Sequence, residues 1–112
     1  MADDLELIRG TLDLLILKAL AWKPMHGFAV LHWIEETSRH TLQIEEGALY
    51  PALHRMEQKQ WLDAEWGYTD QNRKAKFYRL TALGRRQLTS EISRWSRYTE
   101  AVGHVLAAPA TR

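Results

Sequence analysis

The hydrophobic pattern predicts a first helix that is apolar on nearly every side. Between Thr11 and Lys23 almost all positions are leucine, isoleucine, alanine or tryptophan, and Thr11 is placed to cap the helix. Pro24 ends it. Because a small domain seldom covers a helix completely, we expect a partner chain to cover part of this one.

Two amphipathic helices are predicted next, from about Gly27 to Arg39 and from about Gly47 to Lys59. His26 is placed to begin the first of them. In the second, Leu49 and Met56 belong to an apolar stripe with spacing i, i+4, i+7 that faces inward. The stripe is Leu49, Leu53 and Met56, and the opposite face is polar, with Tyr50, His54, Arg55, Gln58 and Lys59.

From Trp61 onward the apolar positions recur every second residue, which is typical of a half-buried strand. This pattern predicts that Leu62, Ala64 and Trp66 share the buried face. A second strand is predicted from Lys76 to Leu80, and a polar loop from Gly67 to Ala75 would join the two as a hairpin. The end of the hairpin loop is basic, with Arg73, Lys74 and Lys76.

Thr81 is placed to cap a last helix of about Ala82 to Ala107. Its stripe recurs at alternating steps of four and three, which is typical of a seam between two packed helices. We therefore predict that this stripe and two leucines of the first helix form a dimer contact: Leu14, Leu17, Leu88, Ile92, Trp95, Thr99, Val102 and Leu106.

This order of elements predicts a mainly α fold (α+β): a winged helix-turn-helix with a two-stranded wing and a long C-terminal dimerisation helix. Residues 1–81 would form the DNA-binding domain, and residues 82–112 the dimerisation helix and tail. In such folds one helix enters the major groove and dimers bind two half-sites. The predicted DNA contacts are Tyr50, His54, Arg55 and Lys59 from the third helix, and Arg73, Lys74 and Lys76 from the wing.

The charge distribution agrees with a nucleic-acid partner. The 112 residues carry a net charge of +1, which divides into −4 for residues 1–46 and +5 for residues 47–112. The chain has no cysteine, so thiolate zinc sites and thiol nucleophiles are excluded. The acidic N-terminus is unlike a secretory signal, and no apolar run reaches the roughly 20 residues of a membrane span, so we expect a cytoplasmic protein.

Five segments in collinear order resemble small PadR-type transcriptional regulators, and their motifs are closest to the acidobacterial-type subgroup. They are Gly10 to Leu17, His26-Gly27-Phe28, Gly47 to Glu57, Ala64 to Gly67, and Lys76 to Arg85. The resemblance implies a homodimeric winged-helix repressor whose C-terminal helix packs on the partner's first and C-terminal helices. Phe28 stands where the family commonly has tyrosine, and residues 72–75 are less rich in arginine than many wings.

Trp95 has two interpretations. The segment Arg94 to Arg97 resembles the one with which a lactococcal multidrug-sensing member of the family stacks flat aromatic ligands at its dimer interface. That resemblance implies a small planar aromatic effector, which would release the operator. Alternatively, Trp95 simply fills the seam between two helices, as apolar residues at this spacing commonly do.

Other functions find little support in the sequence. His32 and Glu36 lie one helical turn apart, but zinc needs three or four converging ligands, so we predict no metal and no cofactor. Paired carboxylates such as Glu35-Glu36 point to different faces of a helix, and no catalytic motif is present, so we predict no enzyme. The alternative is a winged helix that binds proteins instead of DNA, with the polar face of its third helix simply solvated.

Overall fold

Four helices and three strands make up the described part of the chain, which in this computed structural model is Leu7 and residues 10–110. The helices are α1 (Thr11–Trp22), α2 (Gly27–Thr37), α3 (Glu46–Gln58) and α4 (Ala82–Ala107). The strands are β1 (Met25–His26), β2 (Leu62–Tyr68) and β3 (Lys74–Leu80). The mainly α winged-helix prediction is confirmed, while residues 1–6 and 111–112, the ends of the two predicted domains, lie outside the described residues.

Side-chain caps begin two of the helices, but not α1. The Thr81 hydroxyl accepts a hydrogen bond from the Gly84 amide at 3.0 Å, as predicted for α4. Nδ1 of His26 accepts one from the Ala29 amide at 3.3 Å and so begins α2. The predicted Thr11 cap is wrong, because Gly10 precedes the helix with a left-handed φ of 88° and Thr11 is already the first helical residue.

The sheet has one strand more than the two-stranded wing predicted from the sequence. It is antiparallel with the order β1-β3-β2, and β1 pairs Met25 with Tyr78 and His26 with Phe77. The β2-β3 hairpin is the predicted wing, with Leu62 opposite Leu80 at its base. A strand of two residues is too short to leave a period in the sequence, so β1 was missed.

The core forms where α1 and α3 pack together over the base of the sheet. The predicted inward stripe of α3, Leu49, Leu53 and Met56, is fully buried. Leu17 of α1 is fully buried as well, so its predicted role as a dimer contact is wrong: its side chain has no surface left for a partner. Leu88, only 8% exposed, likewise packs into the core of its own chain instead of at a dimer surface.

Only the beginning of α4 belongs to this core. Gly84 and Leu88 are its buried residues, and the helix is exposed from Ile92 to its end. The long axis of the molecule accordingly measures 63 Å, against 37 Å and 21 Å for the other two. Most of α4 therefore has no cover from its own chain.

Candidate nucleic-acid interface

The outer face of α3 carries the residues that the sequence pattern placed there. Because Leu49, Leu53 and Met56 fix the inner face, the side chains of Tyr50, His54, Arg55 and Lys59 lie exposed. The Tyr50 ring lies against Gly27 at the start of α2, where an added Cβ would come within 2.6 Å of it. Gly27 thus allows α2 and the N-terminal part of α3 to approach closely.

Arg55 is not a free cation. Its guanidinium forms an ion pair with the carboxylate of Asp13, in the first turn of α1. The Arg55 side chain is 48% exposed and that of Asp13 is 24% exposed. The two residues are 42 positions apart, so sequence spacing gave no sign of this contact.

Lys76, on the wing, is also paired within the chain. Its ammonium lies 3.0 Å from a carboxylate oxygen of Glu57 on α3, and both side chains are about one-third exposed. Hydrogen bonding to Glu57 raises the pKa of Lys76, although desolvation lowers it in part. In the neighbouring Tyr78, burial raises the pKa. The ion pair joins the wing to α3.

The wing tip carries the cations that remain. The Thr69 hydroxyl accepts hydrogen bonds from the amides of Gln71 and Arg73, which hold the turn between β2 and β3. Arg73 and Lys74 are exposed, and neither forms an ion pair with a carboxylate of the described chain. The Lys74 ammonium lies 5.4 Å from the centre of the Trp66 ring, a cation–π contact.

Trp66 itself corrects a prediction. The alternating pattern places it on the buried face of β2 with Leu62 and Ala64, yet it is 63% exposed. Leu62 is buried and Ala64 is half-buried, so burial declines along the strand as the hairpin leaves the body of the domain. The alternation was read correctly, but sequence alone does not show where the core ends.

A groove of about 1270 Å³ separates α2 from the wing. Trp22, Phe28 and Trp33 are among its aromatic lining residues on the helical side, and Trp66 lies on the wing side. The cations that line it are Lys23, Arg73, Lys74 and Lys76, and the carboxylates are Glu36 and Asp70. These aromatic residues and Lys23 were missed as site residues, because the sequence pattern does not bring α2 and the wing together.

The apolar stripe of α4 is exposed where the core ends. Its exposed members include Ile92, Trp95 and Val102, at 36–41%, and Leu106 at 79%. Thr99 is exposed too, and Leu14 of α1 is half-buried. Within the described residues, no three His, Asp or Glu side chains converge on a metal site, and no helix is long and apolar enough to cross a membrane.

The sequence matches the model of the transcriptional regulator PadR-like family over residues 16–90. The chain belongs to this family. A protein of Lysinibacillus sphaericus is 31% identical over 97 residues, 87% of this chain and 89% of the relative. The transcriptional regulator Rv3488 of Mycobacterium tuberculosis is 37% identical over 87 residues, 77% of each chain.

Solved structures agree with this assignment. A PadR-family transcriptional regulator from Eggerthella lenta superposes with a TM-score of 0.75 at 32% identity, covering 90% of this chain and 86% of that one. PadR-like proteins are transcriptional regulators and not enzymes, so the predicted absence of enzymatic activity agrees with the family. The recognition of the family from the five sequence segments is confirmed.

Proposed function

We propose that this PadR-like regulator is a repressor that binds a pseudo-palindromic DNA operator as a homodimer. The observation that carries the proposal is the exposed polar face of α3 with a basic wing beside it, the two elements with which winged helices bind DNA. Tyr50, His54 and Lys59 would reach base edges or phosphates from α3. Arg73 and Lys74 would contact phosphates from the wing.

The exposed part of α4 supports the homodimer. Ile92, Trp95, Val102 and Leu106 form an apolar stripe on a helix that its own chain leaves uncovered. A second copy offers an identical stripe, and two such stripes can pack along a twofold axis. Leu14, half-buried on α1, would complete the contact. The dimer would hold two α3 helices about 34 Å apart, one turn of DNA.

The test is selection of bound duplexes from a random pool by the purified full-length protein. We expect an inverted repeat whose half-sites lie about one helical turn apart, with affinity that falls steeply between about 50 and 200 mM salt. Sedimentation at the same concentration should show a dimer. A protein that ignores duplex DNA at low salt but binds another protein would favour the interaction-module alternative. Because regulation acts on DNA, we place the protein in the cytoplasm.

We also propose that a small planar aromatic effector binds beside Trp95. The Trp95 and Tyr98 rings have centroids 6.2 Å apart and an angle of 34° between their planes, so two aromatic faces lie on the stripe. An effector would release the operator if it binds better to a dimer whose two α3 helices are wrongly spaced. The opposing interpretation, in which Trp95 only fills the dimer seam, requires no effector.

Tryptophan fluorescence separates these two interpretations. Titration with a planar cationic dye should quench the unaltered protein, and a Trp95→Leu variant should lose most of the quenching while remaining dimeric. The other tryptophans act as internal controls, because Trp22, Trp33 and Trp66 line the groove between α2 and the wing. Quenching that Trp95→Leu leaves unchanged would contradict the effector site and place the dye elsewhere.

A further inference from the structure

Helix α3 is joined to both of its neighbours by ion pairs. Arg55 pairs with Asp13 of α1, and Glu57 pairs with Lys76 of β3. We infer that these two pairs orient α3 and the wing for DNA binding, and that Arg55 and Lys76 are positioning residues instead of phosphate contacts. This inference rests on the proposed DNA-binding function.

The placement of the pairs along α3 supports this role. Successive residues of an α-helix are rotated by about 100°, so Arg55 and Glu57, two positions apart, point to nearly opposite sides of α3. One side of the helix is therefore held by α1, and the other side by the wing. Two contacts on opposite sides restrict rotation of the helix about its axis, and that rotation determines which side chains face the major groove.

The environment of each pair also favours an internal role. Glu57 and Lys76 are only about one-third exposed, so salt screens their attraction less than it screens a fully exposed pair. Asp13 is 24% exposed, and a phosphate contact by Arg55 would leave this carboxylate without its cation. Arg73 and Lys74 have no such competing carboxylate among the described residues and can neutralise phosphates directly.

The two roles predict opposite signs when a carboxylate is removed. If Arg55 and Lys76 bind phosphates, Asp13→Asn and Glu57→Gln free these cations and remove negative charge near a polyanion, so DNA should bind more tightly. If the pairs orient α3 and the wing, the same substitutions release these elements, and DNA should bind more weakly.

The experiment measures the affinity of the full-length protein for its selected operator from about 50 to 200 mM salt. We expect Asp13→Asn and Glu57→Gln each to weaken binding by about three-fold or more, the scale of a surface ion pair. The salt slope should stay unchanged for Arg55→Gln and Lys76→Gln, and should fall by about 0.9 for Arg73→Gln or Lys74→Gln. The charge-swapped double variant Glu57→Lys with Lys76→Glu should recover affinity relative to each single substitution.

The matched control is Asp70→Asn in the wing turn. Asp70 is exposed and has no ion pair with a cation of the described chain, so its neutralisation should leave affinity unchanged or increase it. Thermal unfolding should show all variants folded. Tighter binding by Asp13→Asn and Glu57→Gln, or a lower salt slope for Arg55→Gln and Lys76→Gln, overturns the positioning role while DNA binding stands. Failure of the unaltered protein to bind DNA overturns the proposed function and this inference together.

Discussion

Replacing Val102 with aspartate should convert the dimer into folded monomers and weaken operator binding by at least about 100-fold. Val102 lies in the exposed stripe of α4, far from the core that Leu88 closes, so the DNA-binding body should remain intact. In the dimer, two aspartates would meet in an apolar seam, where an unpaired charge is costly. A monomer binds one half-site and loses the avidity of two linked sites, commonly a factor of about 10² to 10⁴.

Sedimentation and operator titration check this expectation, and Ala101→Asp is the matched control. Ala101 is exposed and adjacent to Val102, but it lies on the side of α4 away from Trp95, Thr99 and Leu106. It introduces the same charge into the same turn of helix. We expect Ala101→Asp to remain a dimer with nearly unchanged affinity. If both variants dissociate, or neither does, the stripe is not the dimer contact.

The helices were the part of the fold that sequence reasoning predicted best. The stripes of α3 and α4 span several turns, so the period of 3.6 was evident, and the predicted bounds of α4 agree with the structure. The two-residue strand β1 has no period to detect. Leu17 was misassigned for a related reason: in a helix that is apolar all round, the pattern does not show which side faces its own core and which faces a partner.

The candidate site was predicted at the level of elements more than of individual residues. Periodicity placed Tyr50, Arg55 and Lys59 on the exposed face of α3, as the structure shows. It did not show that Arg55 and Lys76 already have carboxylate partners, because those partners are distant in the sequence. Charge counting treats every cation as available. Only the three-dimensional arrangement separates the paired cations from those at the wing tip.

Gly84→Ala is expected to lower the free energy of unfolding by about 1–3 kcal/mol, as overpacking of a well-packed site does. Gly84 is buried in the first turn of α4, where an added Cβ would lie 2.1 Å from the carbonyl oxygen of Trp61. The Thr81 amide donates to that same carbonyl, so the oxygen cannot move away without disturbing the start of α4. The helix would have to shift as a unit, and Leu88 would move with it.

Urea unfolding followed by circular dichroism measures the effect, and Gly103→Ala is the control on the same helix. An added Cβ at Gly103 meets no atom within 4 Å, so alanine there should stabilise α4 by up to about 1 kcal/mol through its higher helix propensity. The two substitutions are chemically identical and should have opposite signs. If Gly84→Ala proved as stable as the unaltered protein, α4 would not be seated against Trp61, and its direction away from the body would need another cause.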